Sequence, residues 1–171
     1  MTLTFSPLQY GMRREAFTCG EPSLDTYLHR QAGQDMKRGF ATVITASDVT
    51  KPGTIIGYYT LSAASVLLDS LPGNLARKMP RYPAVPAIRL GRLAVDATRQ
   101  KEHVGSLLVF DALRRASAYE LAWAVFLVDA KNGQVAAFYK KLQFHRFAHN
   151  PLALWMHRKQ VENLSANRHP H

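Results

Sequence analysis

The stretch LGRLAVDATRQKEHVGSLLVFDALRR, Leu90 to Arg115, decides the fold. Its opening is apolar and reads as a buried strand. Its end places Val104, Leu107, Leu108, Ala112 and Ala116 on one stripe of an amphipathic helix. The gap between carries Arg99, Gln100, Lys101, His103 and a single glycine, Gly105. A helix N-terminus exposes unpaired N–H groups and the positive end of its dipole, so an anion is stabilised there, most of all at the outer end of a central strand. Gly105 would let a phosphate approach the main chain closely. Asp96 is expected to shape the loop.

Working outward, AIRLGRLAV (87–95) reads as the strand, with Ile88, Leu90, Leu93 and Val95 expected to be enclosed. LAWAVFLVDA (121–130) reads as a second, central strand because it is continuously apolar. Strand, helix, strand in this order implies a crossover between parallel strands of one sheet. A further helix spans about 133–142, and QFHRFAHN with LALWMHRK suggest a final hairpin. Upstream, residues 2–10 look like a short opening strand. EPSLDTYLHRQAGQDMKRG (21–39) carries helix signals: Ser23 as N-cap, Leu24, Tyr27, Leu28 and Gln31 on one face, and Gly39 at the close. FATVITASD and IIGYYTLSAASV, joined through KPGT, read as an antiparallel hairpin. Residues 66–87 are broken by four prolines and hold at most a helical turn or two in GNLARKM. The expected architecture is α/β (α+β): a mixed central sheet flanked by helices, one domain over 1–160 and a loose polar tail over 161–171.

Composition sets the limits. A chain of 171 residues, 47% hydrophobic and 20% charged, suits a globular domain with its own core. One cysteine, Cys19, argues against a disulfide framework and suits a reducing cytoplasm. No apolar run approaches the ~20 residues that span a bilayer, and the first seventeen residues lack a signal peptide's apolar core; a cytoplasmic protein with no membrane partner is expected. Lys and Arg number 22 against 12 Asp and Glu, a net charge of +10. Such a surplus favours a polyanionic partner. No metal site is expected, since His169 and His171 alone in a tail make a poor ligand set.

LGRLAVDATRQKEHVG with NGQVAAFYKKLQF downstream resembles motifs A and B of the GCN5-related N-acetyltransferases. The likeness extends from FTCGEPSLDTYLHRQA through GYYTLSAASV, over roughly residues 15–147. It is most similar to the acetyltransferase toxins of type II toxin–antitoxin pairs. The resemblance implies a sheet splayed at an acetyl-CoA site, with the pantetheine along Leu93, Ala94 and Val95. The diphosphate would sit on the turn Gln100, Lys101, Glu102, His103, Val104, Gly105 and Ser106, and Asn132 would also touch the cofactor. Tyr139 corresponds to the family's catalytic tyrosine. Three departures stand out: Lys101 and His103 replace glycines of the loop, and Gln143 replaces the glycine of an LGF motif. A Cβ at 103 restricts the backbone that wraps a diphosphate. Glu102 adds a like charge unless it points away.

The chemistry is consistent. A phenol of pKa ~10 stays protonated at neutral pH and can donate to a departing thiolate, and the Val95 amide is a candidate donor to the carbonyl oxygen. No carboxylate presents itself as a dedicated base, with Asp129 read as structural. That disfavours a lysine amine of pKa ~10.4 and suits an α-amine of ~7.7–8.0. The toxins' acceptor, the α-amine of aminoacyl-tRNA, fits. Arg77, Lys78, Arg89 and Arg92 are the candidate nucleic-acid contacts, with Arg81, Lys140, Lys141, Arg146, Arg158 and Lys159 as further surface charge. The resemblance also implies a ribbon–helix–helix antitoxin as partner and a homodimer. Two other readings remain open: an acetyltransferase for a small-molecule or protein amine, and a non-catalytic binding module with a degenerate cofactor loop.

Overall fold

A computed structural model describes residues 1–167; the expectation for His169 and His171 lies outside them. The described elements are β1 (Leu3–Pro7), α1 (Pro22–Thr26), a π-helical turn (Tyr27–Gln31), α2 (Ala32–Arg38), β2 (Thr42–Asp48), β3 (Gly57–Leu67), α3 (Gly73–Ala76), β4 (Ala84–Val95), α4 (Val104–Ser117), β5 (Val125–Asp129), α5 (Gly133–Lys141), β6 (His145–Arg146), β7 (Ala153–His157) and α6 (Arg158–Ala166). The strands order as β1-β2-β3-β4-β5-β7-β6. β2 pairs antiparallel with β1 and β3, β5 and β6 pair antiparallel with β7, and β4 pairs parallel with β5. The sheet is therefore mixed. The β4–β5 ladder runs from Ala87↔Val125 to Leu90↔Val128, and β4 continues to Val95 beyond that last pair.

The chain forms two compact units, Met1–Ser62 with Gly91–Ala112, and Ala63–Leu90 with the chain from Leu113 onward. The first is organised on Tyr58, fully enclosed, with Phe17 edge-on at 5.6 Å and Tyr27 stacked at 6.2 Å. Its hydroxyl donates to Leu24 O at 2.7 Å, so the polar end of a buried ring is satisfied by the first helix. The second unit packs Val85, Ala87, Val125, Leu127, Phe147 and Trp155 with the turn residues Leu68 and Leu71.

Several sequence expectations are corrected. Ser23 is not the N-cap: Pro22 opens the helix after Glu21, which makes no side-chain cap bond. Tyr27 and Leu28 are buried, but Gln31 is exposed and Ala32 takes its place. The π-turn adds a residue to that turn, so the apolar face resumes one position late. Leu93 and Val95 are only half-buried. On α4, Leu107 is exposed, while Val109, Asp111 and Leu113 are buried beside the expected stripe. The polar stretch after Gln160 is not loose within the described residues. It belongs to α6, anchored by the buried Val161 and capped at its start by the His157 ring.

Candidate active site

The polar gap folds as a braced turn. Asp96 Oδ1 accepts from Thr98 N at 3.0 Å and from its hydroxyl at 2.6 Å, capping a 3₁₀ turn over Ala97–Arg99. Asp96 thus shapes the loop as expected. Gln100 spends its side chain internally, donating to Cys19 O at 2.6 Å and Val95 O at 3.2 Å. Arg99 Nε sits 2.7 Å from Glu102 Oε2, so the Glu102 charge is neutralised at short range. Lys101 and His103 are exposed.

His103 then does what a glycine does elsewhere: its φ is +60°, in the left-handed region. That conformation costs a non-glycine residue about 1 kcal/mol, least for Asn, Asp and His. It turns the chain so that α4 begins at Val104, with Leu107 N donating to His103 O as the first closing bond. Among the described residues, the N–H groups of Val104, Gly105 and Ser106 have no protein partner. Gly105 itself lies within the helix and not at positive φ, so what it contributes is a bare Cα. Three amides without protein partners at the positive end of a fourteen-residue helix are the kind of group that can receive an anion. Gly57 of β3 seats that helix. A Cβ there would stand 2.9 Å from Leu108 Cδ1, 3.1 Å from Ala94 O and 3.5 Å from Val104 Cγ1. This close approach was invisible in the sequence.

In the second unit, α5 begins at Asn132, whose side chain accepts from Val135 N at 2.9 Å. Its carbonyl oxygen is used as a helix cap, leaving its amide group for other partners. Tyr139 is buried on α5, its ring edge-on to Phe144 at 5.6 Å and tilted on Phe138 at 5.2 Å. Burial, and then the Asp129 charge, push its pKa up, so the phenol keeps its proton. Among the described residues its hydroxyl has no hydrogen-bond partner. The hydroxyl is not among the fully buried polar atoms left without a partner, so its proton is accessible to a bound molecule. Asp129 itself forms an ion pair with Arg89 at 3.5 Å, both side chains being half exposed. After Tyr139, α5 closes on Gln143 at φ +75°, with Gln143 N donating to Lys140 O at 3.0 Å and Phe144 N to Tyr139 O at 3.2 Å. This is a Schellman closure that normally takes glycine. Of the three non-glycine departures, His103 and Gln143 keep a left-handed glycine conformation and Lys101 does not.

The basic candidates divide. Arg77 and Lys78 are exposed just after α3, with Arg77 Nε turned back onto Gly73 O at 3.1 Å. Arg89 Nε stands 3.5 Å from Asp129 Oδ2, an ion pair without a hydrogen bond. Arg92 lies in the first unit, its guanidinium 3.8 Å above the Tyr27 ring, and the Tyr27 hydroxyl donates to Asp35 at 2.9 Å. Arg158 is occupied by Glu162 at 2.8 Å and by the Trp123 ring. Cys19 is no nucleophile: burial, the Asp25 hydrogen bond and the Asp25 charge push its thiol up to about 11. Among the described residues no cluster of His, Cys, Asp or Glu is arranged for a metal, and no helix is long and apolar enough to cross a membrane.

A mixed sheet in this order, with a strand that outruns its parallel neighbour and delivers a left-handed turn into a helix N-terminus, is the GCN5-related N-acetyltransferase fold. No protein-family model matches the chain. It is 35% identical over 152 residues to the tRNA-acetylating toxin of Mycobacterium tuberculosis (strain ATCC 25618 / H37Rv), covering 87% of this chain and 88% of the relative. It belongs to that family of acetyltransferase toxins. Among solved structures, AtaT complexed with acetyl-methionyl-tRNAfMet is similar at a TM-score of 0.87 and 28% identity, over 95% of this chain and 99% of AtaT. A Tyr-to-Phe mutant of AtaT bound to the C-terminus of the antitoxin AtaR and acetyl-CoA matches at 0.77 and 25% identity, over 95% and 97%.

Proposed function

We propose that this protein transfers an acetyl group from acetyl-CoA to the α-amine of aminoacyl-tRNA, and that it is the translation-blocking toxin of a toxin–antitoxin pair in the cytoplasm. The observation that carries the cofactor half lies at the start of α4: three unpartnered amides behind a left-handed His103. Those groups suit a diphosphate, with Lys101 and His103 adding donors from the turn. Family membership and the complexes of AtaT with acetylated initiator tRNA and with acetyl-CoA support the substrate pair.

In this reading acetyl-CoA supplies an activated thioester, and the residues of the chain do the rest. Leu93, Ala94 and Val95 align the pantetheine, the Val95 amide donates to the thioester carbonyl, and Gln100 to Ser106 with Asn132 hold the coenzyme. The neutral amine forms the new N–C bond as the C–S bond breaks. Tyr139 gives its proton to the sulfur, and the nitrogen loses its own to solvent. An α-amine of pKa ~7.7–8.0 is substantially neutral near pH 8 without a dedicated base, which a lysine amine is not. Acetylated, it no longer forms a peptide bond. Arg77, Lys78, Arg89 and Arg92 are proposed to contact the acceptor's phosphates, and a second copy and an antitoxin are the proposed protein partners.

The test is incubation with labelled acetyl-CoA and charged tRNA. Label on the aminoacyl end is expected. Transfer instead to polyamines or peptides assigns a different acceptor, and binding without transfer to any amine makes the protein a non-catalytic module.

A further inference from the structure

The diphosphate turn is held from a distance of some eighty residues, by a segment that none of the chemistry above uses. Thr18 O accepts from Ala97 N at 2.8 Å, and Cys19 O accepts the Gln100 side chain at 2.6 Å. Those two carbonyls therefore tie down the turn at both ends of its 3₁₀ segment. Both residues are in turn fixed by the Asp25 carboxylate, and Thr18 N also donates to Asp96 Oδ2 at the longer distance of 3.5 Å. Asp25 Oδ1 accepts from Cys19 N at 2.8 Å, and Asp25 Oδ2 from the Thr18 hydroxyl at 3.0 Å. Burial opposes the ionisation of Asp25, but the hydrogen bonds from Cys19 and Thr18 outweigh it and keep the carboxyl below its usual range.

We propose that Asp25 is a positioning residue for coenzyme binding: through Thr18 and Cys19 it fixes the turn that delivers the α4 amides. The proposal rests on the cofactor reading above. An amide cradle works only while its donors stay within about 0.5 Å of their productive positions. Loosening the turn thus costs coenzyme affinity, while the acid and the acceptor contacts lie elsewhere. The neighbouring Phe17 is pinned separately, by burial of its ring and by the His29 ring on its carbonyl at 2.8 Å. Phe17 therefore stays anchored when the carboxylate goes, and the loss of order is confined to Thr18 and Cys19.

The test is steady-state kinetics of Asp25→Ala and Asp25→Asn with charged tRNA. In Asp25→Ala the KM for acetyl-CoA is expected to rise about tenfold, the worth of two hydrogen bonds. Its kcat at saturating acetyl-CoA and its KM for tRNA should stay within about twofold. Asp25→Asn restores most of the loss, because its oxygen still accepts from Cys19 N and the Thr18 hydroxyl can turn to accept from its amide. An unchanged KM for acetyl-CoA, a joint fall of kcat with both affinities, or an Asn variant no better than Ala overturns the proposal. Should Asp25→Ala not fold, Thr18→Val removes one of the two bonds, with about a threefold rise expected and no rise overturning it. Calorimetry separates the two levels. An unsubstituted protein that does not bind coenzyme A defeats the cofactor reading itself, whereas normal binding in both proteins defeats only the role of Asp25.

Discussion

Gly57→Ala probes the seat of α4 directly. The added methyl would lie 2.9 Å from Leu108 Cδ1 and 3.1 Å from Ala94 O, inside van der Waals contact with both. Leu108 is fully buried and Ala94 O is main chain, so neither gives way cheaply. Overpacking of this kind costs about 1–3 kcal/mol, which for a chain of this size lowers Tm by roughly 3–10 °C. Val104 Cγ1, at 3.5 Å, is in ordinary contact, but Leu108 lies on the same helix four residues from its start, so relieving the clash there shifts α4 and coenzyme affinity should fall with stability. Gly133→Ala is the control. Nothing lies within 4 Å of its Cβ position and its φ is ordinary, so it should be neutral or stabilising by up to about 1 kcal/mol. Thermal denaturation followed by circular dichroism reads both. A Gly57→Ala protein as stable as the control would show that α4 is not seated on β3 as described.

Three further outcomes are expected. At His103, φ of +60° predicts that Gly is at least as stable as His and that Val is worse by about 1–2 kcal/mol, an order that chemical denaturation should reproduce; a Val variant equal to Gly would exclude the left-handed turn. Tyr139→Phe should cut turnover roughly 10²-fold or more while leaving Tm and coenzyme affinity nearly unchanged, since the hydroxyl has no partner to lose among the described residues; undiminished turnover would remove its acid role. Burial, chiefly, raises Tyr139 and Tyr58 and holds Tyr27 at about 12. The folded chain then keeps protons that the unfolded chain releases above pH ~10, so this contribution to stability is complete below that pH and lost as pH rises through the folded values. Tm measured from pH 8 to 11 should be level at first and then fall, and a decline starting below pH 9 would point to other groups.

How much of this was legible in the sequence depends on how local the cause is. β5 shows as a continuous apolar run, and α5 is bounded by its own cap and closure, so both were readable. The strand–gap–helix logic of 90–115 also held. His103 and Gln143 were legible as anomalies, glycine positions carrying side chains, but only the backbone shows that they keep glycine's conformation. The π-turn was not readable, because it changes register without changing composition, and it moved the buried position from Gln31 to Ala32. Leu93 and Val95 looked enclosed, but β4 outruns its β5 ladder there. The Asp25 brace was invisible because it acts on residues some eighty positions away. α6 was missed because its sequence is almost wholly polar and only Val161 anchors it.

The central claim is that the first turn of α4 binds a diphosphate, and a crystal structure with acetyl-CoA tests it most directly. Diphosphate oxygens within about 2.7–3.2 Å of the nitrogens of Val104, Gly105 and Ser106, with His103 still left-handed, are predicted. Coenzyme bound elsewhere, or a turn closed over those amides by the imidazole, would contradict it.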